Sequence, residues 1–124
     1  MLEEVSAFLD TNPRETLIMC IQQEAPLTPG FSGTVREDMQ KYIDKGQWFL
    51  EPRVPKLREV RGKGILMSRF GGGSGPDGSG PWEVDVDPWN KETKMGWKPT
   101  RWPDSVIDGF TWEIGETQVR TQDW

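Results

Sequence analysis

The sequence predicts an α/β fold built on a parallel sheet. Leu2, Val5, Phe8 and Leu9 recur at helical spacing near the amino terminus, and an uninterrupted apolar run at residues 16–21 follows within a few positions. The same order, helix then apolar strand, repeats over residues 34–70. Helices alternating with continuous apolar strands are the pattern of parallel sheets covered by helices.

The first helix spans residues 2–11 and stops at Asn12-Pro13, because proline pushes the preceding residue out of the helical region. Residues 16–21 read as a strand buried on both faces, which makes Cys20 a buried, inert thiol. Residues 25–33 carry two prolines and two glycines and read as loop. Thr34-Val-Arg-Glu37 has capping-box spacing and opens a second helix with Val35, Met39, Tyr42 and Ile43 as its apolar stripe. Gly46 stands where that helix needs a left-handed residue to end. Trp48-Phe-Leu50 and the prolines at 52 and 55 form an extended connection, and residues 64–70 make the second buried strand.

Beyond Phe70 the composition changes. Residues 71–80 hold six glycines and one proline, and six of the seven tryptophans lie from Trp82 onward. Without helical periodicity, residues 71–116 read as a Gly/Trp-rich insertion with a short turn near Pro103, and residues 117–124 as a terminal strand. The whole makes one domain of residues 1–124.

Composition excludes several chemistries. A net charge of −5 opposes a general nucleic-acid binder, and no apolar run reaches the roughly 18 residues of a membrane span. The absence of histidine removes imidazole catalysis and histidine-ligated metal, while a single cysteine precludes an internal disulfide or cysteine metal cluster. Gly73-Ser-Gly75-Pro-Asp-Gly78 matches a dinucleotide fingerprint in form, but Pro76 and Pro81 bar the helix that must open there, so it is a loop. Arg61-Gly62-Lys63 lacks the glycine of a phosphate loop. No cofactor is implied.

Between residues 51 and 69 six bases face two acids, a local +4 that suits anionic lipid or phosphate, or simply a solvated strand entrance. Arg69 differs from the rest, because it ends a strand just before a glycine loop. Ligands of parallel α/β folds bind beyond the carboxyl ends of strands. Gln22, Gln23 and Glu24 hold the equivalent place after the first strand, and Asp123 after the last. The tryptophans either stack on sugars or headgroups or pin down a loop poor in aliphatics.

Three segments resemble one family. Phe8-Leu-Asp-Thr-Asn-Pro-Arg-Glu-Thr-Leu-Ile-Met-Cys-Ile-Gln-Gln-Glu24 is similar to the middle of the X domain of phosphatidylinositol-specific phospholipase C. Leu57-Arg-Glu-Val-Arg-Gly-Lys-Gly-Ile-Leu-Met-Ser-Arg-Phe70 resembles the family's Arg-Gly-Lys turn and following strand. Trp102-Pro-Asp-Ser and Thr117-Gln-Val-Arg-Thr-Gln-Asp-Trp124 look like its fungal and bacterial single-domain branch.

The resemblance implies part of a distorted (β/α)8 barrel of the TIM type, incomplete at both ends. It also implies a phosphoric diester hydrolase of lipid metabolism, secreted or peripheral to a membrane, whose partner is a phosphatidylinositol-type headgroup or membrane surface. The family's two catalytic histidines lie upstream of the matched segments, so this chain is expected to be inactive alone. By motif position Arg69 matches an inositol-binding arginine, Glu24 a strand-end glutamate and Asp123 an acceptor from an inositol hydroxyl. Gln22 replaces a substrate-contacting lysine of bacterial members. The family's ring-stacking aromatic would fall one residue beyond Trp124. The alternative is a noncatalytic module binding an anionic headgroup or a carbohydrate.

Overall fold

A computed structural model describes residues 1–23, 31–70, 96, 97, 99 and 106–123, without the side chains of 32, 106–108 and 123. Helix α1 (Leu2–Thr11) leads into strand β1 (Leu17–Gln22), and α2 (Phe31–Asp44) into the short strand β2 (Trp48–Phe49). One turn of helix, α3 (Leu57–Val60), precedes β3 (Gly64–Arg69), and β4 (Val106–Ile114) and β5 (Thr117–Asp123) follow. The first sheet is parallel with strand order β1-β3-β2, and β4 and β5 form a separate antiparallel pair.

Helix α2 begins three residues before the Thr34 cap that the sequence suggests, so Thr34 lies inside it. Its end is where glycine places it. Gly46 adopts φ 76°, and the amides of Gly46 and Gln47 return to the carbonyls of Ile43 and Tyr42 at 2.9 and 3.1 Å.

Strand alternation sorts the first sheet into two faces. Leu17, Met19 and Ile21 of β1 share a cluster with Leu66 and Phe70, and with Val5 of α1 and Met39 and Tyr42 of α2. Trp48 joins this face. A Cβ on Gly64 would come within 2.6 Å of its ring, so glycine is the residue that admits the indole. On the other face Phe49 and Ile65 pack with Val60 and Trp97. Met67 and Trp97 there meet Phe110, Trp112 and Ile114 of the hairpin.

Trp97 also extends the β2 side of β3. Its amide donates to Leu66 O at 2.8 Å and its carbonyl accepts from Ser68 N at 2.7 Å. Gly96 makes the approach possible with φ 74°, since a Cβ there would lie 2.1 Å from Leu66 O.

Three expectations need correction. Strand β1 is covered on one face only: Ile18 is 55% exposed and Cys20 is exposed, since the hairpin packs over β3, and among the described residues β1 is an outer strand of the sheet. The extended connection at Trp48 is a sheet strand. Residues 106–114, expected within the irregular insertion, form β4, with Trp112 Nε1 donating to Thr121 Oγ1 across the hairpin at 2.8 Å. Alternating Phe110, Trp112 and Ile114 inward against exposed Thr111 and Glu113 is a strand signature that the surrounding Gly/Trp-rich composition obscured. The glycine motif at 73–78, Trp89 and Trp102 lie outside the described residues.

Candidate functional site

Gln22 and Arg69 end adjacent parallel strands and stand in register, one directly beside the other. Alternation puts both on the face away from α1 and α2, in line with Met67 and Ile65. The two ends are tied twice. Arg69 Nη1 donates to Gln22 Oε1, and Gln23 N donates to Arg69 O at 3.1 Å.

The side-chain bond fixes the polarity of the pair. A guanidinium has no acceptor, so it must take the amide oxygen, which leaves the Gln22 Nε2 group as the part of that amide with hydrogens to offer. Guanidinium and amide together therefore make a cluster of donors suited to an anion, and the planar fork of arginine matches phosphate oxygens. A lysine at position 22 would also donate, with a full charge. Glutamine keeps the donor and gives up the charge.

Of the other residues singled out from sequence, Gln23 is buried at the end of β1. Glu24 lies outside the described residues. Asp123 closes β5, with its backbone paired to Val106 in the hairpin rather than in the parallel sheet. The structure thus joins Gln22 with Arg69, and places Asp123 by its backbone alone. Among the described residues no group of His, Cys, Asp or Glu is arranged to hold a metal ion.

The Arg61-Gly62-Lys63 turn proves to be a structural joint at the opposite end of β3. Gly62 adopts φ 74° against Pro13, its amide donates to Glu15 O at 2.7 Å, and Thr16 Oγ1 donates to Lys63 O at 2.7 Å. Nearby, Arg53 bridges Glu51 and Glu59 at 2.9 and 2.8 Å and lies over the Phe49 ring. The Arg53 hydrogen bond, helped by the Lys56 amide, holds the Glu59 carboxyl down to about 2. Trp97 Nε1 donates to Arg53 O at 2.8 Å, linking this cluster to the hairpin side of the sheet.

Sequence reasoning missed a second polar joint. Gln47 is buried and accepts from Ser6 Oγ at 2.7 Å while donating to Asp10 Oδ1 at 2.9 Å, and Lys45 pairs with Asp10 at 2.7 Å. No local pattern marks a glutamine as buried. Ser6 and Asp10 do sit four residues apart on one helix face, which is the only trace in the sequence.

Comparison with known proteins gives one partial match. The chain is 32% identical over 74 residues to the 1-phosphatidylinositol phosphodiesterase of Listeria monocytogenes, covering 55% of this chain and 23% of that protein. The chain therefore matches less than a quarter of that relative's length, and the relation is a distant one. No family model matches. No solved structure matches.

Proposed function

We propose that this chain supplies headgroup-binding elements of a phosphatidylinositol-specific phospholipase C-like phosphodiesterase. The observation that carries the reading is the in-register Gln22–Arg69 pair at the carboxyl ends of neighbouring parallel strands, in a chain related to a phosphatidylinositol phosphodiesterase. In this reading β1, β3 and β2 are wall strands of a (β/α)8 barrel, with α1 and α2 outside and the Gln22–Arg69 face turned inward. Arg69 and Gln22 donate to the inositol phosphate, and Glu24 and Asp123 accept from inositol hydroxyls.

The 124 residues contain no histidine, so the reading assigns them recognition and orientation, not proton transfer. Calorimetry with inositol 1-phosphate tests the proposal. Saturable binding is expected, weakened at least tenfold in Arg69→Gln, since hydrogen bonds to charged groups contribute about 1.5–3 kcal/mol. No hydrolysis of phosphatidylinositol vesicles is expected from this chain by itself. Affinity equal in the wild type and Arg69→Gln would dismiss the site.

A noncatalytic module for an anionic headgroup rests on the same donor pair and the same lack of histidine. It differs in one outcome: supplying a histidine-bearing partner segment would never restore hydrolysis.

A further inference from the structure

At the carboxyl ends of β1 and β3 the supply of positive charge is small. Arg69 is the one cation among the described residues there, and its neighbours Gln22, Gln23 and Phe70 are uncharged. Arg61 and Lys63 precede β3. A strand rises about 3.3 Å per residue, so about 20 Å lies between Lys63 and Arg69, more than two Debye lengths at physiological salt. Arg36 is on α2, which covers the opposite face of the sheet. Arg120 stands opposite exposed Thr111, on the side of the hairpin turned away from Met67.

Gln22 therefore occupies the place where a second charge could join the first. Its Oε1 accepts from Arg69 Nη1, so the amide hydrogens extend the array of donors without adding charge. An anion that meets this pair finds several donors and a single positive charge.

We propose, resting on the headgroup-binding reading of the strand ends, that Gln22 sets the charge this site accepts: a phosphate bearing one negative charge rather than two. A phosphodiester carries one charge near neutral pH, whereas a phosphomonoester, which loses its second proton near pH 6, carries about 1.5–2 at pH 7. Hydrogen bonding does not separate the two, because both present oxygens to the guanidinium fork. Charge does. The guanidinium balances the first negative charge and leaves the second uncompensated, in a chain whose own net charge is −5.

Selectivity of this kind is a difference between ligands, so a cycle of two ligands and two proteins measures it. Calorimetry at about pH 7.5 compares glycerophosphoinositol, a diester, with inositol 1-phosphate, a monoester of the same ring, on wild type and Gln22→Lys. The lysine loses the bond from Arg69 Nη1 and gains a charge. Loss of that bond falls on both ligands alike, and the glycerol group is the same for both proteins, so the remaining difference belongs to charge. Wild type is expected to bind the diester several-fold more tightly. Gln22→Lys should improve the monoester about fivefold more than the diester, the effect of one added exposed charge pair. Gln22→Met, which removes the donors and no charge, should weaken both ligands and leave their ratio unchanged. Position 22 is exposed, so circular dichroism should show both variants folded as the parent. A wild type that binds the monoester as tightly as the diester, a lysine variant that moves both ligands by one factor, or a ratio that shifts in Gln22→Met would overturn the role of Gln22 while leaving the strand-end site standing. Binding of neither ligand to wild type would remove the site itself, and this inference with it.

Discussion

Trp48 packs on Gly64 where β2 pairs with β3, and the closeness of that contact sets its energetics. A Cβ at position 64 would meet three atoms of the indole's benzo ring at 2.6, 2.9 and 3.0 Å. The ring is buried in one cluster with Met39, Tyr42, Leu66 and Phe70, so swinging it aside would open that cluster. Overpacking of this kind costs about 1–3 kcal/mol. Alanine returns roughly 0.4–1 kcal/mol by restricting the unfolded chain. Gly64→Ala should therefore destabilise by about 1–2 kcal/mol net. Trp48→Leu alone should cost about 2–4 kcal/mol through lost burial and the cavity it leaves. In the double variant the clash is gone, so its loss should fall short of the sum by about 1–2 kcal/mol. Urea unfolding followed by far-ultraviolet circular dichroism measures all four corners of this cycle without relying on the removed fluorophore. Additive losses would refute the contact, because two residues that do not touch have no reason to couple.

Two further outcomes follow from the Arg53–Glu59 pair and from the exposed face of β1. The carboxyl of Glu59 is held at about 2 in the folded chain, below its ordinary value near 4.5. Its interaction with Arg53 and the Lys56 amide is thus fully present above about pH 5 and disappears as pH falls through about 2. The stability difference between wild type and Glu59→Gln should be constant from about pH 5 to 7 and shrink below about 4; a difference that grows toward low pH would contradict the assignment. Cys20 lies on the exposed face of β1, so a thiol reagent should label it in the native chain almost as fast as in urea. Labelling that requires unfolding would mean that this face is covered.

The end of α1, the end of α2 and the strands β1 and β3 were legible because local signals and tertiary demands agree there, whereas the first turn of α2 and the strand β2 were not. Asn12-Pro13 ends α1 where the sheet needs the chain to turn, and Gly46 ends α2 just ahead of β2. Burial was harder to read. An apolar run such as Leu-Ile-Met-Cys-Ile describes what a strand tolerates, and only the neighbouring elements decide that β1 is half exposed. Strand β5 was read as the terminal strand, but its partner β4 escaped, because glycine and tryptophan in that region obscure the alternation of its inward residues. Gly96-Trp97 gave no signal at all, since its role rests on the carbonyl of Leu66, distant in sequence.

The candidate site was half legible. Strand-end position alone pointed to Arg69 and Gln22, and the parallel register explains why they meet: equal numbers of residues separate each from the start of its strand. The orientation of the Gln22 amide was not readable from sequence, because it is set by which of its atoms Arg69 can bond. Asp123 belongs to a strand whose partner is β4, a pairing that no motif around residue 123 announces.

Headgroup recognition at the strand ends is measured most directly by an amide chemical-shift titration of the chain with inositol 1-phosphate, with inorganic phosphate as reference. The largest, saturating shifts are expected at Gln22, Gln23 and Arg69, with inositol 1-phosphate acting at lower concentration than phosphate. Shifts confined to residues 56–61, or absent from the ends of β1 and β3, would contradict that role.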